Sequence, residues 1–273
     1  MRLDGATLVI TGATSGIGLA TARMLAGRAR RLVVHGPEPE SGARSVLESL
    51  RGGAADVRYV ACDFDRLADV VAGSEEIARA AGGAVDGLVN NAAVPGGTSR
   101  RTTPDGHERT LQVNYLAMVL LTERLRQALA PGARVVNLSS ATHEMTGLGL
   151  ADIELERGYS PVRAYARSKL AIILWTRWLA SHLDGASAVS VMPGVISTNL
   201  LHAMFGSVGA PLDAGARSVV AALTAPARPG EYFDGERPAL PSAEAIDDTL
   251  RDDLVRWTYG VLAPFLTEAP PGA

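Results

Sequence analysis

The sequence has a single cysteine, Cys62, among its 273 residues, and no surplus of positive charge. One cysteine cannot form an intrachain disulfide, so we expect a buried thiol and a reducing compartment. The formal net charge of -3 at pH 7 argues against a protein that binds a phosphate backbone. Nucleic acid is therefore not an expected partner.

Long hydrophobic runs are also absent. A membrane-spanning helix needs about 20 consecutive apolar residues, and no segment of the chain approaches that length. The first apolar segment, which starts near Thr7, lacks the longer core of a signal peptide. We therefore expect a cytoplasmic protein with no membrane span.

Residues that commonly bind metal ions are scattered along the chain. His143, His182 and His202 show no ligand spacing. Asp105 and His107 are close together, but we interpret Asp105 as the cap of the following helix and His107 as a surface residue. No metal site is expected.

Lysine is nearly absent, since Lys169 is the only lysine among 26 basic residues. Arginine is a broad planar fork that stays charged, whereas lysine is a compact ammonium on a thin stem. A site that needs a point charge cannot replace lysine by arginine. Lys169 is therefore a candidate functional residue, although one retained lysine is also compatible with chance.

Short apolar segments alternate with stretches of helical periodicity. The predicted strands are Thr7 to Thr11, Arg31 to His35, Val57 to Cys62, Val85 to Asn90, Ala133 to Ser139, Ala186 to Met192 and a weaker one near Tyr232. The predicted helices are Ile17 to Ala29, Gly42 to Leu50, Leu67 to Ala81, Gly106 to Ala130, Ser160 to Leu183 and Asp213 to Leu223. This alternation predicts one α/β domain, with a parallel sheet and helices on both faces. We place the domain at residues 1–263 and a flexible tail at residues 264–273.

A glycine-rich turn connects the first strand to the first helix. Glycines here let the backbone approach a pyrophosphate, which the amides and the helix dipole would bind. Such glycines by themselves are also compatible with simple turn formation. The candidate phosphate contacts are Gly12, Thr14, Ser15, Gly16, Ile17 and Gly18.

The spacing Gly-x3-Gly-x-Gly is followed by further motifs in a characteristic order. These are Asp63, Asn90-Asn91-Ala92-Ala93, Asn114, Ser139-Ser140, Tyr165-x3-Lys169 and Pro193-Gly194-x3-Thr198. From about residue 5 to 235 the chain resembles the short-chain dehydrogenase/reductase family, with Ala93 as a departure where the family has glycine. The resemblance implies a single-domain Rossmann fold, with a doubly wound seven-stranded parallel sheet in the order 3-2-1-4-5-6-7. It also implies NAD(P)(H) bound across the carboxyl edge of the sheet.

The resemblance implies further cofactor contacts. Asp63 would meet the adenine, Asn90 and Asn91 the ribose side, and Ile196 and Thr198 the carboxamide. The complete additional set is His35, Asp63, Phe64, Asn90, Asn91, Ala92, Tyr165, Lys169, Pro193, Gly194, Ile196 and Thr198.

Tyr165 and Lys169 form the candidate catalytic pair. They are four residues apart in a helical stretch, so both side chains project from one face. A free tyrosine loses its proton near pH 10, at about its unperturbed pKa, and an adjacent ammonium and an oxidised nicotinamide would stabilise the phenolate. Tyr165 could then act as general acid or general base.

Two more residues complete the candidate catalytic set. Ser140 ends a strand where its hydroxyl could donate to the substrate oxygen, with Ser139 as its rival and Ser140 as the match to the family position. The hydroxyls of Ser140 and Tyr165 should then lie within roughly 6 Å, two hydrogen-bond lengths. Asn114 is a poor helix-interior residue, which predicts a local hydrogen bond or a kink. The resemblance assigns Asn114 to a water relay to the lysine.

The cofactor type depends on the residues after the second strand. An acidic residue at the strand end favours NAD, and a nearby arginine favours NADP. The corner His35-Gly36-Pro37-Glu38 has neither at the strand end, while Arg44 could approach and Glu38 would oppose a phosphate. Without a carboxylate at the strand end itself, NADP(H) is slightly favoured.

The segment after Thr198 contains Leu200, Leu201, Met204 and Phe205. It is either an apolar lid over the nicotinamide or a helix packed on the core. As a lid it would suit a bulky apolar ketone or alcohol.

The spacing of 25 residues between Ser140 and Tyr165 is longer than in the shortest family members and resembles the retinol-dehydrogenase-like branch. The extra residues, Glu144 to Ser160, contain three glycines, which predicts a mainly irregular excursion over the substrate mouth. The expected anchors are Met145, Leu148, Leu150 and Ile153.

These observations predict an oxidoreductase that moves a hydride between a nicotinamide and a carbonyl or alcohol carbon. Two alternatives remain open: a catalytically silent nucleotide-sensing or scaffold protein on the same fold, and a dehydratase or isomerase that uses the same residues. Relatives often pair through the helices around Tyr165 and Leu125, so a homo-oligomer is compatible with the sequence.

Overall fold

A single eight-stranded sheet organises the protein. The structure, a computed structural model, describes residues 1–53, 55–206 and 208–266. The strands are β1 (Thr7–Ile10), β2 (Arg31–Gly36), β3 (Asp56–Ala61), β4 (Val85–Asn90), β5 (Leu129–Leu138), β6 (Ser187–Met192), β7 (Tyr232–Asp234) and β8 (Arg237–Ala239). Their order is β3-β2-β1-β4-β5-β6-β7-β8, and β1 to β7 are parallel. The predicted order of the first seven strands is confirmed.

Helices cover both faces of the sheet. They are α1 (Gly16–Ala26), α2 (Glu40–Arg51), α3 (Leu67–Ala81), α4 (Arg109–Leu111), α5 (Ala117–Leu125), α6 (Pro161–Ala180), α7 (Asn199–Phe205), α8 (Leu212–Thr224) and α9 (Asp248–Leu262). Buried residues of α1, α2 and α8 form the core on one face. Buried residues of α3, α5, α6 and α9 form the core on the other. The doubly wound α/β class is therefore confirmed.

The eighth strand is a correction to the predicted seven-stranded parallel sheet. β8 pairs antiparallel with β7 through a two-residue connection, Gly235-Glu236. Gly235 has a φ of 60°, which glycine adopts without a Cβ penalty. Pro238 is tolerated because β8 is the edge strand of the sheet. The Asp234-Gly235 pair was a hairpin signal in the sequence.

The predicted long helix from Gly106 to Ala130 is interrupted. A π-helical turn, Gln112–Leu116, separates α4 from α5. The Glu108 carboxylate caps α4 by accepting from the amides of Thr110 and Leu111. The predicted cap, Asp105, instead accepts from the amide of Leu67 at the start of α3. The strand β5 already begins at Leu129.

The excursion between Ser140 and Tyr165 is mainly irregular, as predicted. It contains two short 3-10 helices, Ala141–Glu144 and Leu150–Asp152. Leu148 and Ile153 are buried, but Met145 is 59% exposed and is not an anchor. Leu155 is a buried residue that the sequence prediction missed.

The last helix, α9, packs across α5 and α6. The Tyr259 hydroxyl donates to Glu123 at 2.8 Å, and the hydroxyls of Tyr115 and Thr258 lie 2.7 Å apart.

The predicted tail begins inside an ordered segment. Ala263–Phe265 form a 3-10 helix, and Phe265 and Leu266 pack against the core. Residues 267–273 lie outside the described residues. In the described ranges, no helix is long and apolar enough to cross a bilayer.

Candidate active site

A cavity of about 540 Å³ lies at the carboxyl ends of the parallel strands. This is the edge of a doubly wound sheet where ligands bind. Fourteen of the residues predicted from the sequence line it: Gly12, Thr14, Ser15, Gly16, Ile17, His35, Asp63, Phe64, Asn91, Ala92, Tyr165, Lys169, Pro193 and Thr198. The cavity connects the glycine-rich turn with the Tyr165 and Lys169 pair.

Six predicted site residues do not line the cavity. They are Gly18, Asn90, Asn114, Ser140, Gly194 and Ile196. The Asn90 amide is directed into the core, where its nitrogen donates to Thr122 and Asn137. Asn90 therefore supports the sheet edge from below and does not present its side chain to the cavity.

Gly18 has a packing role. A Cβ at this position would come within 2.2 Å of the Gly12 carbonyl oxygen and 2.4 Å of the Asn91 amide nitrogen. The Asn91 amide in turn donates to the carbonyls of Thr11 and Gly12. Asn91 and Gly18 together hold the glycine-rich turn against β4.

His35, on β2, contacts the same glycine-rich turn. Its Nδ1 accepts from the Gly12 amide at 3.2 Å, and its Nε2 donates to the Cys62 carbonyl at 2.9 Å. The ring also stacks on Phe64, with centroids 4.6 Å apart. Burial lowers the pKa of His35 to about 4, so the imidazole is neutral and can accept at Nδ1 and donate at Nε2.

Tyr165 and Lys169 lie on α6, which begins after the cap residue Ser160. The Lys169 ammonium is 5.3 Å from the centroid of the Tyr165 ring, and it donates to the Leu138 carbonyl at 2.9 Å. The two side chains share one face of the helix, as predicted.

The pKa values of this pair differ from the sequence expectation. Burial raises the pKa of Tyr165, and a side-chain hydrogen bond with Ser140 offsets part of that rise. Burial lowers the pKa of Lys169 to about 7. The lowering of the Tyr165 pKa that we expected from Lys169 is absent in the protein by itself, because burial disfavours both charged forms.

The two neighbouring serines have different contacts, and Ser139, but not Ser140, lines the cavity. The Ser139 hydroxyl donates to the Lys169 carbonyl at 2.9 Å and is committed to the backbone. The Ser140 side chain lowers the pKa of Tyr165 in part, and the predicted distance between their hydroxyls stays a prediction. The Ser140 hydroxyl oxygen accepts from the Thr142 amide at 3.2 Å.

Asn114 lies in the π-helical turn, which confirms a local irregularity at this position. Its side chain accepts from the Val94 amide at 2.8 Å and donates to the Val94 carbonyl and the Ser168 hydroxyl. Ser168 in turn donates to the Tyr165 carbonyl. Asn114 thus connects the cavity wall at Val94 to the backbone of α6.

Several cavity residues were missed by the sequence prediction. Arg109 and Asp65 form an ion pair at 2.8 Å, and both line the cavity together with Cys62, Val113 and Leu138. Asp65 lies two residues after the motif residue Asp63, which was the available signal. No sequence signal pointed to Arg109, because its position at the cavity depends on where α4 begins.

The geometry fits a nicotinamide dinucleotide. A Cβ at Gly16 would project toward the methyl group of Thr198, 3.8 Å away, and both residues line the cavity. A side chain at position 16 would therefore occupy space in the cavity. At the other end of the cavity, the buried Lys169 ammonium donates one N–H to the Leu138 carbonyl. Its remaining N–H groups could bind the cofactor.

Comparison with known proteins shows to which family the chain belongs. The short chain dehydrogenase family matches residues 6–207. Mouse polyprenol dehydrogenase is 36% identical over 283 residues, covering 94% of this chain and 83% of the relative. Human retinol dehydrogenase 12 is 36% identical over 209 residues, covering 74% of this chain and 65% of the relative.

A solved structure extends the comparison. Landomycin C-6 ketoreductase LanV, with bound NADP and rabelomycin, is 28% identical with a TM-score of 0.65. The match covers 86% of this chain and 96% of that protein. The chain belongs to the short-chain dehydrogenase/reductase family, whose members act on CH-OH or C=O groups, and its relatives include retinol dehydrogenases.

Proposed function

We propose that this protein is an NAD(P)(H)-dependent ketoreductase or alcohol dehydrogenase in which Tyr165 is the general acid and base. The observation that carries the proposal is the position of the buried Lys169 ammonium, 5.3 Å from the centroid of the Tyr165 ring, together with the effect of Ser140 on the pKa of Tyr165. Tyr165 and Lys169 line the cavity that begins at the glycine-rich turn.

Each residue has a distinct task. When bound, the nicotinamide supplies or accepts the hydride. The raised pKa of Tyr165 keeps its phenol protonated, ready to donate to the oxygen of a ketone. The Ser140 hydroxyl, whose oxygen accepts from the Thr142 amide, would donate its proton to the substrate oxygen and stabilise the charge that develops there. A protonated Lys169 stabilises the phenolate that remains.

The substrate class that fits best is a bulky apolar ketone or alcohol. Leu200 of α7 lines the cavity, and none of the seven residues of this helix is buried. Val195 and Val208 beside it are 60% and 78% exposed. An exposed short helix on the cavity supports the lid hypothesis over the core-packed helix. The names of the relatives, polyprenol and retinol dehydrogenase, point the same way.

The predicted place of the excursion, residues 144–160, over the substrate mouth stays a prediction. None of its residues lines the cavity. Glu154 accepts from His107 and from the Glu108 amide, and the Arg167 guanidinium donates to the Asp152 carbonyl. We propose that the excursion braces α4 and α6, and that α7 covers the substrate.

NADP(H) is the proposed cofactor type, since the last residue of β2, Gly36, carries no carboxylate. The negative charge of Glu38 would disfavour the 2′-phosphate of NADP(H). Its carboxylate oxygen would lie 2.8 Å from a Cβ placed on Gly36, beside Thr14, and Glu38 lines the cavity. Protein that binds NADH more than about tenfold tighter than NADPH, a gap near 1.4 kcal/mol, would contradict the preference.

Removing this charge should strengthen NADPH binding. We expect Glu38→Gln to lower the Kd for NADPH about tenfold relative to that for NADH, because a like charge near the 2′-phosphate is lost. Titration calorimetry with both nucleotides measures the ratio. Glu40→Gln is the matched control, since the Glu40 carboxylate pairs with Arg51 and lies outside the cavity lining. An unchanged NADPH to NADH ratio in Glu38→Gln would place the 2′-phosphate elsewhere.

The proposed activity is tested with purified protein, NADPH and a panel of apolar ketones. Consumption of NADPH with formation of the alcohol, two hydrogens heavier than the ketone, supports hydride transfer. Loss of water or rearrangement at constant mass would instead identify a dehydratase or an isomerase. Tight nucleotide binding without turnover across the panel would favour a silent nucleotide sensor.

A further inference from the structure

His143 lies three residues after Ser140, and its side chain is completely buried. Both ring nitrogens meet backbone groups. Nδ1 is 2.7 Å from the Ser140 carbonyl oxygen, and Nε2 is 3.1 Å from the Ser242 amide nitrogen. A carbonyl can only accept and an amide N–H can only donate, so these contacts require a neutral ring with its proton on Nδ1.

His143 makes two contacts with the backbone of residues 140–143, which we call the serine turn. The Ser140 carbonyl accepts from the backbone amide of His143 at 3.1 Å as well as from the ring. The Ser140 oxygen accepts from Thr142. The two bonds to the carbonyl fix the backbone that carries the Ser140 side chain, and the bond from the Thr142 amide holds its hydroxyl oxygen.

We propose that His143 is a positioning residue, which fixes the Ser140 hydroxyl by connecting the serine turn to the segment that follows β8. This inference rests on the proposed function, in which Ser140 contacts the reacting oxygen. The function by itself does not require it, since Ser242 is 99 residues away in sequence and lies beyond the family match at residues 6–207.

The segment after β8 is suited to act as an anchor. Its 3-10 helix, Glu244–Ile246, includes the fully buried Ala245. The Glu244 carboxylate accepts from the Leu148 amide at 2.8 Å. This segment therefore holds both the serine turn and the excursion that follows it.

Removing the ring would leave the Ser242 amide without this partner, and the Ser140 carbonyl would keep only its bond from the backbone amide of residue 143. An unsatisfied buried group strongly favours local rearrangement. A displacement of about 1 Å at a catalytic group can cost about 100-fold in rate. We therefore expect His143→Phe to lower kcat for ketone reduction by about 10- to 100-fold, with the Kd for NADPH unchanged.

A double-mutant cycle separates positioning from general destabilisation. If His143 acts through Ser140, His143→Phe should change kcat by less than about twofold in a Ser140→Ala background. His143→Asn should recover part of kcat, because its amide nitrogen can take the place of Nδ1 and donate to the Ser140 carbonyl. His182→Gln, two residues beyond the end of α6, is the control for loss of a histidine. Equal effects of His143→Phe in both backgrounds would overturn the proposal.

A second measurement does not depend on turnover. NMR of the protein with ¹⁵N-labelled histidine should show a neutral His143 protonated at Nδ1. A ring protonated at Nε2 would overturn the proposal even if His143→Phe fails to fold. Absence of turnover in the wild-type protein would count against the proposed function, whereas turnover with additive effects would count against the role of His143 alone.

Discussion

Replacing Tyr165 with phenylalanine is expected to lower kcat for ketone reduction by about 10²- to 10⁴-fold, the usual contribution of a positioned proton donor. The ring and its packing beside Lys169 are kept, so the Kd for NADPH should stay within about twofold. Stopped-flow or steady-state consumption of NADPH measures the first quantity, and calorimetry measures the second.

The control for this variant is Tyr159→Phe. The Tyr159 hydroxyl donates to the Gly97 carbonyl at 3.0 Å and lies outside the cavity lining, so its loss should leave kcat nearly unchanged. Activity in Tyr165→Phe above about a tenth of the wild-type value would show that another group supplies the proton. The proposed mechanism would then be wrong, while the family assignment would stand.

Replacing Lys169 with methionine should abolish activity and stabilise the nucleotide-free protein. The pKa of Lys169 falls from 10.5 to about 7 on burial, so the folded protein disfavours the ammonium. Below pH 7 both folded and unfolded protein carry the proton, and the full cost of the buried charge is present. Between pH 7 and 10.5 the unfolded chain binds more protons, so wild-type stability rises with pH across that window.

Methionine removes this cost at every pH. We expect Lys169→Met to raise the free energy of unfolding by about 1–4 kcal/mol at pH 6, with lost hydrogen bonding to Leu138 offsetting part of the gain. The difference should shrink as pH approaches 10. Urea unfolding at pH 6, 8 and 9.5, in the absence of nucleotide, measures both trends.

Lys169→Arg is the matched comparison, because arginine keeps its charge throughout this range. This variant should be no more stable than wild type at pH 6. Its free energy of unfolding should not approach the wild-type value at high pH. A methionine variant that is less stable than wild type at pH 6, or a gap independent of pH, would mean that the Lys169 ammonium is well solvated in the folded protein.

The order of the strands and the motifs at their ends could be read from sequence because both are local. A buried parallel strand is a short apolar run, and the polar residues that follow it meet at the carboxyl edge. Gly12 and Asn91 were found this way, whereas Tyr165 and Lys169 were found from their spacing of four in a helical stretch, and all four line the cavity. The predicted bounds failed where a side chain outside the element decides them, as at Glu108 and the π-helical turn.

The sequence by itself determined the α/β class, the family and the approximate place of the catalytic pair, because periodicity and motif spacing encode local structure. Tertiary structure decided how side chains are directed and which distant segments meet. The Asn90 side chain is directed into the core. The Ser139 hydroxyl is bonded to the Lys169 carbonyl, and the His143 ring is bonded to the Ser242 amide. Such contacts depend on packing between segments far apart in the chain, and no local pattern of residues records that packing.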